Sequence, residues 1–251
     1  MGDFATEGGH FYDKSGEPRY TYINKKGEEK KTTLREARKF GWVPSVTEIQ
    51  KLAAKPGLDQ WKIDQTILAC LTMPKVEGES EQDYIKRLKE DSKAQAKVAA
   101  DKGTEIHGYI ERGFRGELQP EDKGYEYYMS VEATICNECG AQEWHTEKSF
   151  ASSLGYGGKL DLHNEKYLID FKGTDKPLES LKTWDEHAMQ LAAYSYGIKP
   201  GGVFHQCGIC YIHRDTAESK LIWLKEAEII KGWECFKALL SYFYAKSGLE
   251  R

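Results

Sequence analysis

Two short runs of alternating polarity predict a β-hairpin in the second half of the chain. The runs are Lys159–His163 and Tyr167–Lys172, and the turn-forming stretch Asn164–Lys166 separates them. Side chains of a strand point alternately to opposite faces of the sheet, so the first run predicts one polar and one apolar face. Its polar face carries Lys159, Asp161 and His163, its apolar face carries Leu160 and Leu162, and on the second strand Asp170 and Lys172 share a face.

The length of the turn decides which residues of the hairpin face each other. If the loop is Glu165-Lys166, then Asp161 lies opposite Asp170, whereas a loop one residue longer or shorter makes the two aspartates diagonal neighbours. Two like charges directly opposed at about 5 Å between Cβ atoms destabilise a sheet. With Lys172 two residues further on, a divalent metal beside a catalytic lysine is the simplest explanation. The alternative is an exposed hairpin whose charges face solvent.

Hydrophobic periodicity predicts helices and strands on both sides of this hairpin. Aromatic runs predict a further hairpin within residues 1–41, and Ser45 with Glu48 forms a capping box that begins a helix. Gly103-Thr104 could kink or re-cap a long helical region. The predicted helices are residues 58–71, 80–100, 125–139, 184–198 and 227–247, and the predicted further strands are 143–150, 202–213 and 220–225.

Composition places the chain among globular proteins without a membrane span. Its 251 residues contain 39% hydrophobic and 12% aromatic residues, and no apolar run approaches the roughly 20 residues of a transmembrane helix. We divide the chain into an N-terminal elaboration of hairpin and helices (1–78) and a core (79–251). The polar, acidic start is unlike a signal peptide, and six cysteines in so long a chain suit free thiols, so we expect a cytoplasmic protein.

Charge gives only a local indication of a nucleic-acid partner. The net charge of −4 counts mildly against such a partner, but binding needs only a basic patch. One face of the predicted 80–100 helix carries such a basic patch. The alternative is that these basic residues form an ordinary solvent-exposed helix face with acidic neighbours. The candidate contacts are Lys86, Arg87, Lys93 and Lys97.

Two pairs of polar residues at helical spacing add candidate chemistry. His107 and Glu111 are four residues apart, as are Gln190 and Tyr194, so each pair shares a helix face. An imidazole is a common metal ligand, and Glu111 is a ligand, a partner that holds the imidazole, or a surface acid. An amide and a phenol could contact phosphate, sugar or base. Glu147 is a secondary candidate on the strand before the hairpin.

The cysteines superficially form a four-thiolate set. Cys136-x-x-Cys139 and Cys207-x-x-Cys210 have the spacing of zinc or iron–sulfur ligands. However, Cys207 and Cys210 fall in a predicted strand, where residues three apart point to opposite faces. We therefore expect buried free thiols, and a metal–thiolate regulatory protein is the less favoured alternative.

Four motifs occur together in a characteristic order: Gly103-Thr104-x-x-His107, Asp161, Asp170-x-Lys172 and Gln190-x-x-x-Tyr194. They resemble the motifs of the PD-(D/E)XK nuclease superfamily, in particular its RecB-like and phage-type exonuclease branch. The resemblance covers roughly residues 100–225, and Pro44-Ser45-Val46-Thr47 resembles a segment common near the start of phage-type members. It implies an α/β fold with a restriction-endonuclease-like core. That core is a central mixed β-sheet flanked by helices, here with N-terminal hairpin and helical additions.

The resemblance also implies a function: divalent-metal-dependent hydrolysis of DNA phosphodiester bonds. His107, Asp161, Asp170 and the Phe171 carbonyl would hold Mg²⁺ or Mn²⁺. Lys172 would orient or deprotonate the attacking water, or stabilise the leaving charge. Gln190 and Tyr194 complete the implied catalytic set, with Glu111 and Glu147 as outer partners.

An exonuclease acting on single- or double-stranded DNA ends in recombination, repair or replication is expected, of phage or bacterial origin. A phage-encoded protein would work in the host cytoplasm, and a recombination or single-strand-binding protein is a possible partner. The alternatives are a structure-specific endonuclease and a non-catalytic nucleic-acid-binding or interaction module on a nuclease scaffold.

Overall fold

The structure is a computed structural model that describes residues 9–54, 56–201 and 203–250, without the side chains of 56, 58, 61, 92–96 and 99. The strands are β1 (Phe11–Tyr12), β2 (Thr21–Ile23), β3 (Glu29–Lys31), β4 (Val43–Pro44), β5 (His145–Ser152), β6 (Tyr156–His163), β7 (Tyr167–Thr174), β8 (Gln206–His213) and β9 (Ser219–Trp223). The helices are α1 (Leu34–Phe40), α2 (Val46–Gln50), α3 (Pro56–Thr72), α4 (Glu81–Phe114), α5 (Tyr125–Cys139), α6 (Asp185–Ile198) and α7 (Glu226–Ser247).

A five-stranded mixed sheet forms the centre of the fold, in the order β5-β6-β7-β8-β9. Only the β7–β8 pair is parallel, and α6 makes the crossover between these two strands. The near-continuous apolar run of β7 is buried, as expected for a strand covered on both faces. The predicted α/β fold with a central mixed sheet flanked by helices is therefore confirmed.

Each face of the sheet packs against its own hydrophobic core. On one face Ile106 of α4 and Ile135 of α5 pack with Ile169 and Phe171 of β7. On the other face the residues of α6 and α7 pack with Leu168 and with residues of β8. The sheet is thus the middle layer of an α/β/α sandwich, and the residues of β7 alternate between the two cores.

The N-terminal segment packs on the α6–α7 side of the sandwich. Phe11, Leu34, Val46 and Ile49 all belong to the core formed with α6 and α7. Ser45 forms a parallel bridge with Gly157 at the start of β6. Residues 9–50 are therefore attached directly to the central sheet, and the division of the chain at residue 78 stays a prediction.

Strand pairing in the N-terminal segment is more extensive than the single hairpin expected. The chain does fold back across Ser15-Gly16, because Tyr12 forms an antiparallel bridge with Pro18. In addition β1 pairs with β4, and β2 pairs with β3 across the turn that contains Gly27. Pro44 therefore has a strand partner in Phe11. Because of this pairing, β1 lies beside β6, which the sequence pattern did not reveal.

Helix boundaries follow their capping residues closely. Ser45 and Ser80 accept hydrogen bonds from the backbone N–H groups of Glu48 (3.0 Å) and Asp83 (3.1 Å), as their sequences predict. No new helix cap forms at Gly103-Thr104, because α4 continues through these residues to Phe114. With 34 residues α4 is about 50 Å long. In the part of the chain that the structure describes, no helix is long and apolar enough to cross a membrane.

Candidate active site

The β6–β7 hairpin has the two-residue loop that places the aspartates opposite each other. Leu162 pairs with Ile169, and the Asn164 N–H donates to the Tyr167 carbonyl at 3.0 Å. The Asn164 Oδ1 accepts from the N–H groups of Lys166 (2.9 Å) and Tyr167 (2.8 Å), which fixes the turn. By this register Asp161 is the residue opposite Asp170.

The strands separate at this pair of aspartates, and a side chain replaces the missing backbone contact. Regular β6–β7 pairing ends at Leu162 and Ile169, and the Oδ2 atom of Asp161 then accepts a hydrogen bond of 2.9 Å from the Phe171 N–H. On the other side of β6, Glu147 occupies the position opposite Asp161 and has a φ of 55°. The sheet is therefore distorted on both sides of Asp161.

This distortion also changes which face of the sheet each leucine occupies. Leu160 packs in the core with α6 and α7, whereas Leu162 packs in the core with α4 and α5. The expectation that both leucines share one face of β6 is wrong, because strict alternation holds only in a regular strand. The change of face occurs at Asp161.

Asp170 is a buried carboxylate held by residues of α6 and β7. Its side chain is almost fully buried, and its Oδ1 atom accepts a hydrogen bond of 2.9 Å from the Gln190 Nε2. The Nζ of Lys172 lies 2.6 Å from Oδ2, but that oxygen accepts no hydrogen bond of good geometry from any described residue. Burial raises the pKa of Asp170 and so does Asp161, although Lys172 opposes the shift.

His107 reaches the same place from α4. Its Nδ1 lies 3.7 Å from the Asp161 Oδ2, and its ring meets the Phe171 ring edge-on with centroids 5.8 Å apart. Burial lowers the pKa of His107, but the Asp161 carboxylate outweighs this and the net shift is upward. Burial likewise raises the pKa of Asp161, but His107 and the Phe171 N–H outweigh it and the net shift is downward. The two side chains therefore favour a charged pair.

Lys172 carries a protonated ammonium in this arrangement. Burial lowers its pKa, but Asp170 outweighs this effect and the pKa is raised. About a third of the side chain is exposed, so Lys172 is less buried than the Asp170 carboxylate that it contacts. Of the roles expected for Lys172, stabilisation of charge and orientation of water suit a protonated amine better than proton abstraction.

Gln190 and Tyr194 are buried parts of the aspartate network. Besides Asp170, the Gln190 amide contacts the Tyr194 hydroxyl (3.2 Å) and the Lys172 Nζ (3.4 Å). Both residues are more than nine-tenths buried. Tyr194 packs so closely on β6 that a Cβ at Gly158 would lie 2.7 Å from its ring. The structure thus gives these residues a positioning role toward Asp170, which sequence reasoning missed.

A cleft of about 580 Å³ opens over this network. His107, Asp161 and Tyr194 line it from the core of the protein. The N-terminal segment supplies the facing wall of the cleft. Sequence reasoning did not assign this segment to the site, although the aromatic run around Tyr20 could have indicated it. The wall residues are His10, Tyr12, Tyr20, Ser45 and Thr47.

The outer candidates have partners of their own. Glu111 is paired at 2.6 Å with Arg115, which follows the last residue of α4, and Glu147 is paired with Lys159. On the basic face of α4, the Arg87 guanidinium binds Glu79 at 2.9 Å. Lys86 lies 3.9 Å from Glu90, Lys97 is exposed, and the side chain of Lys93 lies outside the described residues.

The donor set suits a hard divalent cation, although it is not gathered into a finished site. Across residues 9–54, 56–201 and 203–250, no three His, Cys, Asp or Glu side chains stand together in an arrangement ready to hold a metal. Two opposed carboxylates nevertheless match the oxygen preference of Mg²⁺ and Mn²⁺. The buried Asp170 Oδ2 has no hydrogen-bond donor of good geometry, so it is an acceptor that a cation would satisfy.

The cysteines follow strand geometry. Cys207 is buried in the core with α6 and α7, whereas Cys210 is buried in the core with α4 and α5. The two thiols thus lie on opposite faces of the sheet and cannot bind one ion together. Burial raises the pKa of Cys210 to about 12 and that of Cys139 to about 11, which disfavours the thiolate form that binds metals.

Comparison with known proteins finds similarity at the level of solved structures. No protein-family model and no curated protein matches the chain. A candidate exonuclease from Eubacterium rectale matches with a TM-score of 0.42 and 12% identity over 60% of this chain and 69% of that chain. The alkaline exonuclease LHK-Exo from Laribacter hongkongensis matches with a TM-score of 0.39 and 14% identity over 72% of this chain and 88% of that chain. Similarity at this level does not establish an activity, which has to be inferred from the residues of the site.

Proposed function

We propose that the protein is a divalent-metal-dependent nuclease that hydrolyses phosphodiester bonds of DNA. One observation carries the proposal: Asp161 and Asp170 oppose each other where two core strands separate, with Lys172 beside them. Opposed carboxylates weaken a sheet, because the two like charges repel each other. An arrangement so unfavourable for folding is typical of a site that binds a charged ligand.

The residues of the chain divide the chemical work between them. Asp161 and Asp170, with His107 and the Phe171 carbonyl, would hold Mg²⁺ or Mn²⁺, which would supply Lewis-acid activation of water and neutralise phosphate charge. Lys172 places an ammonium 2.6 Å from Asp170, where it would stabilise negative charge on a phosphate bound at the aspartates. Gln190 and Tyr194 hold Asp170 in position, and the Phe171 N–H holds Asp161.

We propose further that the enzyme acts as an exonuclease on DNA ends, in recombination, repair or replication. The proposed substrate class is tested by degradation of end-labelled linear DNA in Mn²⁺, compared with closed circular DNA of the same sequence. Release of label from the linear form with intact circles supports the proposal. Equal cutting of circles points to the endonuclease alternative, and binding without cutting points to a non-catalytic module.

The roles of the site residues are tested with matched substitutions. Asp170→Asn and Lys172→Met should each lower the cleavage rate at least about 100-fold, because each removes charge stabilisation from the reaction. The controls are Asp185→Asn and Lys237→Met, which change exposed residues in ion pairs on α6 and α7. Circular dichroism verifies that all four variants are folded. Wild-type turnover by either site variant contradicts the assignment.

A further inference from the structure

Two stacked rings on the N-terminal wall of the cleft have no role in the metal chemistry. The rings of His10 and Tyr20 have centroids 4.4 Å apart and planes inclined by only 27°. Both side chains line the same cleft as His107 and Asp161. His10 is exposed and Tyr20 is half-buried, so the pair presents aromatic surface to whatever enters.

The stacked pair is fixed firmly to the catalytic sheet. Tyr12 is almost fully buried against β6, where a Cβ at Gly157 would lie 2.7 Å from the Cβ of Tyr12. The hydroxyl groups of Tyr12 and Tyr20 are 2.6 Å apart, and their rings meet edge-on. The His10 carbonyl accepts a hydrogen bond of 2.8 Å from the Ser45 N–H. Both rings are therefore held before any ligand arrives.

The chemistry of this surface suits a flat, uncharged ring. Partial burial and the nearby Lys51 lower the pKa of His10, so its imidazole is neutral at pH 7. A neutral imidazole and a phenol offer π faces and little charge, which disfavours phosphate as their ligand. Nucleobases stack on such faces with little regard to sequence.

We infer that His10 and Tyr20 form a stacking platform for one nucleobase of the strand whose phosphodiester is cut. This inference rests on the proposed nuclease function and specifies its substrate. A base can lie on the platform only when it is not stacked inside a duplex, so the site takes single-stranded DNA or a duplex end that has opened. Residues of the N-terminal segment thereby select the form of DNA that reaches Asp161 and Asp170.

The test measures binding of fluorescent single-stranded oligonucleotides to the full chain in EDTA, by anisotropy. In each oligonucleotide of a series, one nucleotide is replaced by an abasic unit, and the unit is moved stepwise along the strand. For the wild-type protein, one position should weaken binding about 10-fold when its base is missing, as expected for loss of one stacked base. In Tyr20→Ala and His10→Ala, binding of the intact strand should weaken about as much, and that position should no longer matter.

The matched control is Tyr22→Ala, which removes the same side chain two residues along the hairpin, beside Glu36. It should keep wild-type affinity and the wild-type response to the abasic position. Because His10 is exposed, His10→Ala remains informative if Tyr20→Ala does not fold. The platform is overturned if no abasic position matters in the wild type, or if the response persists unchanged in His10→Ala. Cleavage in Mn²⁺ is measured separately: base-dependent binding without cleavage contradicts the nuclease function and leaves the platform standing.

Discussion

Replacing Gln190 with leucine tests whether the buried amide is what holds Asp170 in place. The Nε2 of Gln190 donates to the Asp170 Oδ1 at 2.9 Å and contacts the Tyr194 hydroxyl at 3.2 Å. Leucine has a similar size but no polar atoms, so Gln190→Leu removes these two hydrogen bonds, and the 3.4 Å contact of its Oε1 with the Lys172 Nζ, without opening a large cavity. The Asp170 carboxylate then keeps only its contact with Lys172.

The expected cost follows from the charge and burial of these partners. A hydrogen bond to a charged group contributes about 1.5–3 kcal/mol, and a neutral one contributes about 0.5–1.5 kcal/mol. Allowing for relaxation of Lys172 toward Asp170, we expect a loss of about 2–4 kcal/mol in the free energy of unfolding. For a chain of this size that corresponds to a fall in Tm of about 5–12 °C. Cleavage should fall more than 10-fold, because misplacement of Asp170 affects the reacting geometry.

A double-mutant cycle separates this interaction from other effects of the leucine. The four proteins are the wild type, Gln190→Leu, Asp170→Asn and the double variant, each unfolded by urea in EDTA. In the Asp170→Asn background both lost hydrogen bonds are between neutral groups, so Gln190→Leu should cost only about 1–2 kcal/mol. We therefore expect a coupling energy of about 1–2 kcal/mol between the two sites. Additive effects would refute the claim that the amide acts on the Asp170 charge.

Three further predictions concern metal, packing and pH. Saturating Mn²⁺ should raise the Tm of the wild-type protein by about 5–10 °C in thermal scans, and an equal rise in Asp170→Asn would contradict the assigned ligand. A Cβ at Gly232 would lie 2.5 Å from the Ala188 backbone, so Gly232→Ala should lower the free energy of unfolding by about 1–3 kcal/mol. Gly103 lies within α4, and a Cβ there would meet no atom within 4 Å. The matched variant Gly103→Ala should therefore raise the free energy of unfolding by about 0.5–1 kcal/mol. If urea unfolding shows that Gly232→Ala stabilises the protein and Gly103→Ala destabilises it, the result contradicts the packing argument. Burial lowers the pKa of His205, so the unfolded chain takes up this proton first and stability falls as pH drops below about 6.5. His205→Asn should lose less stability than the wild type between pH 7.5 and 5.5, and an equal loss would exclude this histidine as the cause.

The features that could be predicted from sequence are those that depend on neighbours along the chain. Residues Asn164–Lys166 have strong turn propensity, so the hairpin could be predicted, and with it the proximity of Asp161 and Asp170. The sequence left open whether the two aspartates lie directly opposite or diagonally, and the structure selects direct opposition. Serine caps and apolar periodicity likewise predict where α2 and α4 begin. Each of these signals lies within a few residues of the feature that it specifies.

Features that depend on distant segments could not be predicted in this way. The pairing of β1 with β4 brings together residues more than 30 positions apart, and no local signal separates it from a simple hairpin. The wall of the cleft that contains Tyr20 is a consequence of that pairing. The role of Gln190 was also missed, because a spacing of four residues shows which side chains share a helix face but not what they meet.

The change of face at Asp161 shows why the site lies where it does. In a regular β6, Asp161 would keep both backbone partners, and its carboxylate would simply be one of three in a row with Glu147 and Asp170. Separation of the strands instead frees the Phe171 N–H to bind Asp161. Each carboxylate of the row has its own basic partner: Glu147 pairs with Lys159, Asp161 with His107 and Asp170 with Lys172. The ionic contacts offset part of the like-charge repulsion that the row creates, but the Asp170 Oδ2 remains without a well-aligned donor. The remaining instability is therefore concentrated on one buried oxygen beside Asp161, and a cation bound there, as we propose, would stabilise the fold.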